Sequence, residues 1–284
     1  MEQQYILENA KSFEPVHIFE CGQCFRWNKE ADGSYTGVFG NNVINVKKEK
    51  SNIVFFGVCE ENIKTICTEY FDLNTDYEKI KDNLSSIDDY LKNSIQYGQG
   101  IRILKQDLWE TLISFIISAN NNIPRIKTII ERISENYGNK IKFGEKTYYT
   151  FPRPEMLANT TVQDFRKLGL GFRDVRVYET VQKILKKEIN LSRLEKEDNI
   201  ELLKEQLLKI PGVGPKVADC IMLFSLKKYN VFPVDVWVKR VIAELYYENK
   251  EQTPKEIQKF AKKQYGDLAG LAQQYLFYWR RNLA

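Results

Sequence analysis

The sequence predicts an α+β fold, a β-rich N-terminal domain followed by a mainly helical body. Residues 1–100 contain short β-branched and aromatic runs separated by Asp-Gly, Gly-Asn and Lys-rich turns, the pattern of antiparallel strands. From about Asp107 the apolar residues recur instead at helical spacing. The 284 residues, 43% hydrophobic and 13% aromatic, can bury a sizeable core and suffice for two domains, which we place at 1–100 and 101–284.

The expected strands are VHIFECGQCFRW, GSYTGVFG, NNVINVKKEK and SNIVFFGVC, with helices over residues 61–70 and 76–93. Asp107 and Glu110 then form a capping-box pattern, and Leu108, Trp109, Leu112, Ile113, Ile116 and Ile117 give the first body helix its apolar face. Further helices are expected over 123–136, 161–168, 173–187, 199–209, 216–226, 236–247, 254–266 and 268–282. The Lys- and Glu-rich stretch 186–209 reads as a solvated helix face and connector.

Composition removes several function classes. No apolar run reaches transmembrane length, and the N-terminus lacks a signal-peptide pattern, so a cytosolic location is expected. Five scattered cysteines make no disulfide framework. Cys21 and Cys24 form an isolated C-x-x-C without the further ligands that zinc needs, and no metal site is expected. With one histidine, His17, histidine-rich zinc sites and HExxH chemistry are excluded, and an enzyme would work with Lys, Asp, Glu or Cys. The net charge is +4, while residues 210–284 carry 12 basic and 7 acidic side chains, a basic excess that permits nucleic-acid binding.

The most informative segment is LLKIPGVGPKVADCI, residues 207–221, within a helix–turn–helix over 203–226. Gly212 and Gly214 let the chain reverse around Val213, which plugs the gap between two helices, and Pro215 starts the second. Such a turn aims backbone N–H groups outward at a helix N-terminus and can hold a phosphodiester without reading sequence. Lys216 lies in the first turn of that second helix. A nucleophilic lysine must be neutral, and the positive end of a helix dipole disfavours the ammonium. The hairpin alone leaves open whether Lys216 is a nucleophile or a phosphate contact. Asp235, 19 residues later at the end of a Val-Phe-Pro-Val loop, suits an N-cap, stabilisation of an oxocarbenium-like centre, or both.

Hairpin, lysine and aspartate together resemble the helix-hairpin-helix DNA glycosylase superfamily, and within it the 8-oxoguanine DNA glycosylases. GQCFRW (22–27), SANNNIPRI (118–126), FPRPEMLA (151–158), LGLGFR (168–173) and LAQQYLF (271–277) fall in that family's order, so the resemblance spans nearly the whole chain. It implies a TATA-binding-protein-like N-terminal sheet and a helical HhH-GPD body with a cleft between helical subdomains. It also implies a bifunctional glycosylase/AP lyase of base excision repair. Lys216 would attack the sugar C1′, expel 8-oxoguanine, and leave a Schiff base whose β-elimination nicks the strand, with Asp235 stabilising the developing charge.

The same resemblance places Gly22, Cys220, Gln273 and Phe277 around a flipped base. The Gly22 carbonyl would accept from the N7–H that guanine lacks, Cys220 and Phe277 would stack on the base, and Gln273 would bond its Watson–Crick edge. Asn120, Arg125 and Arg173 would contact the widowed cytosine, with Phe172 as a wedge, while Gly212, Val213 and Gly214 would hold phosphate. The expected partner is damaged duplex DNA, bound by a monomeric prokaryotic enzyme that needs no cofactor. Relatives acting on adenine mispairs and pyrimidine lesions usually carry a four-cysteine iron–sulfur cluster after the aspartate, and no cysteine follows Cys220 here. Two residues depart from the eukaryotic pattern: Phe172 replaces a tyrosine and Trp237 a histidine. Rival readings are an alkylated-base glycosylase, which would lack the lysine, and a non-enzymatic DNA-binding protein using the hairpin alone.

Overall fold

In the computed structural model, which describes residues 1–283, the N-terminal part is an antiparallel five-stranded sheet. β1 (Glu2–Leu7) precedes a short helix, α1 (Pro15–Phe19), and then come β2 (Trp27–Lys29), β3 (Tyr35–Phe39), β4 (Asn42–Glu49) and β5 (Asn52–Val58). The spatial order is β1-β5-β4-β3-β2. Two-residue turns join β3 to β4 and β4 to β5, where Gly40 and Lys50 adopt the left-handed conformation (φ 54° and 56°) that tight hairpins use. One face buries Trp27, Ile44, Val46, Ile53 and Phe55 beneath α1 and α2 (Ile63–Tyr70), with Phe19 stacked on Trp27 at 4.1 Å. Gly37 faces Trp27 across the β2–β3 pair, and a Cβ there would lie 2.3 Å from the indole.

Three local expectations are corrected. VHIFE is helical rather than extended, because Pro15 starts α1 and turns Ile18 and Phe19 into the sheet core. β1 has no counterpart among the expected strands: its inward side carries Gln3 as well as Tyr5 and Leu7, while Ile6 faces outward, so no apolar alternation marks it. The expected helix 76–93 is two helices, α3 (Tyr77–Ser85) and α4 (Asp89–Tyr97), each with its own aspartate cap. Asp76 accepts from the Lys79 amide at 3.1 Å and Asp88 from the Leu91 amide at 2.8 Å.

The body follows as α5 (Leu108–Ser118), α6 (Ile123–Tyr137), a hairpin of β6 (Lys140–Phe143) and β7 (Lys146–Tyr149), α7 (Val162–Lys167) and α8 (Asp174–Leu185). It is completed by α9 (Leu191–Glu195), α10 (Ile200–Leu208), α11 (Pro215–Phe224), α12 (Val236–Tyr246), α13 (Pro254–Tyr265) and α14 (Ala269–Leu283). α5 is buried along its whole length save for half-exposed Glu110 and Ser118, and it packs on α6, α8 and α11. α14 packs on α4, α12 and α13. The segment 186–209 is more than a connector, since Leu194, Leu203 and Leu207 are all buried in the core. Side chains of α3 and α4 join this helical core, not the core under the sheet.

The two cores are bridged by buried polar groups. Arg102 donates to the carbonyl of Phe71 at 3.0 Å and lies 4.1 Å from the Tyr77 ring, and Asp72 accepts from the hydroxyls of Tyr77 and Tyr229 at 3.0 Å each. His17 accepts from the Gly100 amide at 3.2 Å, so the sole histidine holds α1 to the turn after α4; burial lowers its pKa.

Candidate active site

The site is built where α11, the loop before α12, the loop after α1, and α14 converge. α10 runs into Pro211-Gly212-Val213-Gly214, with Ile210 and Val213 buried between the helices. Gly212 takes φ 84°, and a Cβ there would meet Ile116 and Arg176 at 3.0–3.2 Å, so this glycine is required by both backbone and space. Gly214 is the N-cap of α11, and a Cβ on it would meet nothing within 4 Å. That open side exposes the N-terminal amides of a helix, an anion-binding arrangement.

Lys216 follows in the first turn, half-buried, with its Nζ 5.2 Å from the centre of the Phe115 ring. One turn on, the Cys220 thiol is pushed up to about 11 by burial, against the opposing influence of Lys216. The next buried run, Val231-Phe232-Pro233-Val234, delivers Asp235 to the N-cap of α12. Its Oδ1 accepts from the Val238 amide at 2.8 Å, and its other oxygen has no protein partner among the described residues.

Gly22 sits between α1 and β2 at φ 87°, a conformation other residues rarely adopt. Its neighbour Gln23 is fully buried: the side-chain amide donates to the carbonyls of Ile18 (2.9 Å) and Arg102 (2.8 Å) and accepts from the Leu104 amide (2.9 Å). From α14, Arg281 donates to the Glu20 carbonyl and lies over Phe277. A Cβ on Gly22 would meet Arg281 at 3.4 Å and Phe277 at 3.6 Å. The cysteines flanking Gly22 are buried, and burial raises both thiols, Cys21 to about 11.

A pocket of about 60 Å³ joins these parts. Lys216, Asp235, Gly22, Cys220, Gln273 and Phe277 all line it, so six residues spread over most of the sequence meet at one cavity. Phe115, Phe224 and Pro233 complete its apolar wall, and Gln274 lines it as well. Gln274 belongs to the same LAQQYLF segment as Gln273, but sequence offers no way to tell which of two adjacent glutamines faces inward.

Asn120, Arg125, Phe172 and Arg173 form a separate cluster outside this pocket. Asn120 follows α5 in the left-handed conformation, φ 50°. Arg173 is buried and spends its donors on the carbonyls of Ala119 (2.6 and 2.9 Å), Asn120 (2.7 Å) and Leu170 (3.3 Å). It thereby fixes the turn that presents Asn120. Phe172 is 55% exposed, with the Arg173 guanidinium 4.2 Å and that of Arg176 5.4 Å from its ring. Arg125, exposed, donates to the Gly169 carbonyl at 3.3 Å and joins the two segments. Trp237, 40% exposed, stands in the first turn of α12 with Arg240 beside its ring. An exposed aromatic wedge among arginines, next to an anion-binding hairpin, suits a nucleic-acid duplex. No cluster of three or more His, Cys, Asp or Glu side chains able to hold a metal occurs among the described residues.

Two family models match the chain. The model for "8-oxoguanine DNA glycosylase, N-terminal domain" covers residues 5–112, and that for "HhH-GPD superfamily base excision DNA repair protein" covers 113–266. An N-glycosylase/DNA lyase of Saccharomyces cerevisiae is 35% identical over 255 residues, 81% of this chain and 68% of that one. A probable N-glycosylase/DNA lyase of Methanothermobacter thermautotrophicus is 33% identical, over 73% of this chain and 71% of its own. A crystal structure of Clostridium acetobutylicum 8-oxoguanine glycosylase/lyase, in complex with duplex DNA containing cytosine opposite 8-oxoguanine, superposes with a TM-score of 0.94. It is 44% identical and covers 100% of this chain and 98% of that one.

Proposed function

We infer the reaction from one premise: the chain belongs to the HhH-GPD superfamily of base excision DNA repair proteins, in the branch with the 8-oxoguanine DNA glycosylase N-terminal domain. It is a bifunctional glycosylase/AP lyase that removes 8-oxoguanine from duplex DNA. The observation that carries this reading is the convergence of Lys216 and Asp235 on one pocket with Gly22, Cys220, Gln273 and Phe277.

The hairpin 211–214 grips the phosphodiester through backbone amides, and Phe172 fills the gap left in the stack as the lesion nucleotide turns out. Asn120 and Arg125 then face the unpaired base, on a turn braced by Arg173. A space of about 60 Å³ holds roughly two waters, so a purine enters by displacing side chains. Half-exposed Phe277 is the wall with room to move. Inside, the carbonyl of Gly22 accepts from the N7–H of 8-oxoguanine and repels the bare N7 of guanine. At Gly22 a Cβ would only touch Phe277 and Arg281, so the left-handed backbone, φ 87°, is what favours glycine there.

The neutral amine of Lys216 forms a bond to C1′ as the N-glycosidic bond breaks and its electron pair departs with the base. The Asp235 carboxylate, fixed by its cap hydrogen bond, stabilises the positive charge that develops on the sugar. Proton loss from nitrogen and opening of the sugar ring give the Schiff base. Removal of a C2′ proton then expels the 3′ phosphate and cuts the strand.

The direct test compares duplexes carrying one 8-oxoguanine or one 3-methyladenine. The reading expects 8-oxoguanine release with a nick on its 3′ side and an intact alkylated duplex. Release of the alkylated base without a nick would assign the chain to the monofunctional branch instead.

A further inference from the structure

We propose that Gln274 is a second base-reading residue of the pocket, acting with Gln273 as a paired amide; this rests on the 8-oxoguanine reading above. Both side chains line the cavity, and they are 4% and 3% exposed. The Gln274 amide donates to Oε1 of Gln273 at 2.8 Å. Its own oxygen, Oε1, is buried and has no hydrogen-bond partner among the described residues. A buried unpartnered acceptor is costly, and in a ligand pocket it marks the place of a donor that the ligand brings.

The pairing also settles what Gln273 can offer. With its oxygen engaged by Gln274, the amide nitrogen of Gln273 has no partner among the described residues. The two side chains lining the cavity therefore leave one amide nitrogen group, on Gln273, and one amide oxygen, on Gln274, without a partner among the described residues. The Watson–Crick edge of a guanine-type base carries a carbonyl at C6 beside donors at N1–H and the 2-amino group. One donor and one acceptor match that edge, where a lone amide free to rotate would match several. Gln274 adds the acceptor and holds Gln273 in its donating orientation.

The test uses Gln274→Met, which keeps the length and apolar stem and removes both functions. Single-turnover excision of 8-oxoguanine opposite cytosine is measured beside strand cleavage at a preformed abasic site in the same duplex. Excision is expected to slow by about tenfold or more, the scale of one hydrogen bond to a buried partner. Abasic-site cleavage, which involves no base, stays within about twofold, and melting within a few degrees, the range of a ~1 kcal/mol change. Excision that stays near the wild-type rate would overturn the assignment. A parallel fall in abasic cleavage, or loss of the fold, would overturn it too, by making Gln274 a structural residue of α14. A wild-type protein that cleaves abasic DNA but leaves 8-oxoguanine in place would overturn both this assignment and the functional reading.

Discussion

At the scale of single residues, Asp235 caps a helix while lining the pocket, and we propose that it serves structure and chemistry together. One oxygen caps α12, and the residue also lines the pocket. Asparagine caps a helix about as well as aspartate, so Asp235→Asn separates the two roles. Base release is expected to slow by roughly 100-fold or more, as when a preorganised electrostatic group is removed, with melting little changed. Single-turnover excision and a thermal melt check this; an unchanged rate would leave Asp235 only a cap. Lys216 and Asp235 were legible because each lies within a local pattern, a hairpin and a capped helix start, whereas Cys220, Gly22, Gln273 and Phe277 were placed by the family resemblance. Gln274, Gln23 and Arg281 were not legible, because their roles depend on which way α14 faces and on hydrogen bonds to residues some 80 to 260 positions away. The C-x-x-C drew attention for its sulfurs, yet both thiols are buried and the glycine beside them lines the pocket.

At the scale of elements, the hairpin holds two glycines with different duties. Gly212 has a left-handed backbone and only a tight space for a Cβ, whereas Gly214 has an ordinary φ of −97° and open space before it. Gly212→Ala is expected to destabilise the fold by about 1–3 kcal/mol, the cost of a strained backbone site. Gly214→Ala costs less, about 0.5–1 kcal/mol for a poorer N-cap, but its methyl occupies the approach of the phosphate and weakens duplex binding. Chemical denaturation and DNA titration of both variants test the division; equal loss of stability in the two would contradict it. Long periodic helices such as α5, α6 and α11 were legible from the sequence. α1, with five residues, and the β6–β7 hairpin, with four per strand, are too short for periodicity to mark, and tertiary packing decides them.

At the scale of the whole molecule, the proposed catalytic pocket draws on segments from both ends of the chain. The loop after α1 brings Gly22 from the sheet side, the hairpin brings Lys216, and α14 brings Gln273, Gln274 and Phe277. The sheet side therefore helps shape the pocket, because Gln23 and Arg281 clamp the Gly22 loop between the two cores. A second surface, with Phe172 exposed among arginines and the hairpin nearby, is the one we propose for the duplex. Lys216 is the group we propose joins base release to strand cleavage. The measurement that tests this most directly is borohydride trapping on a duplex with one 8-oxoguanine opposite cytosine. The wild-type chain is expected to form a covalent protein–DNA adduct, and Lys216→Gln to form none while still binding the duplex. An adduct that persists in Lys216→Gln, or its absence in the wild type, would contradict the account.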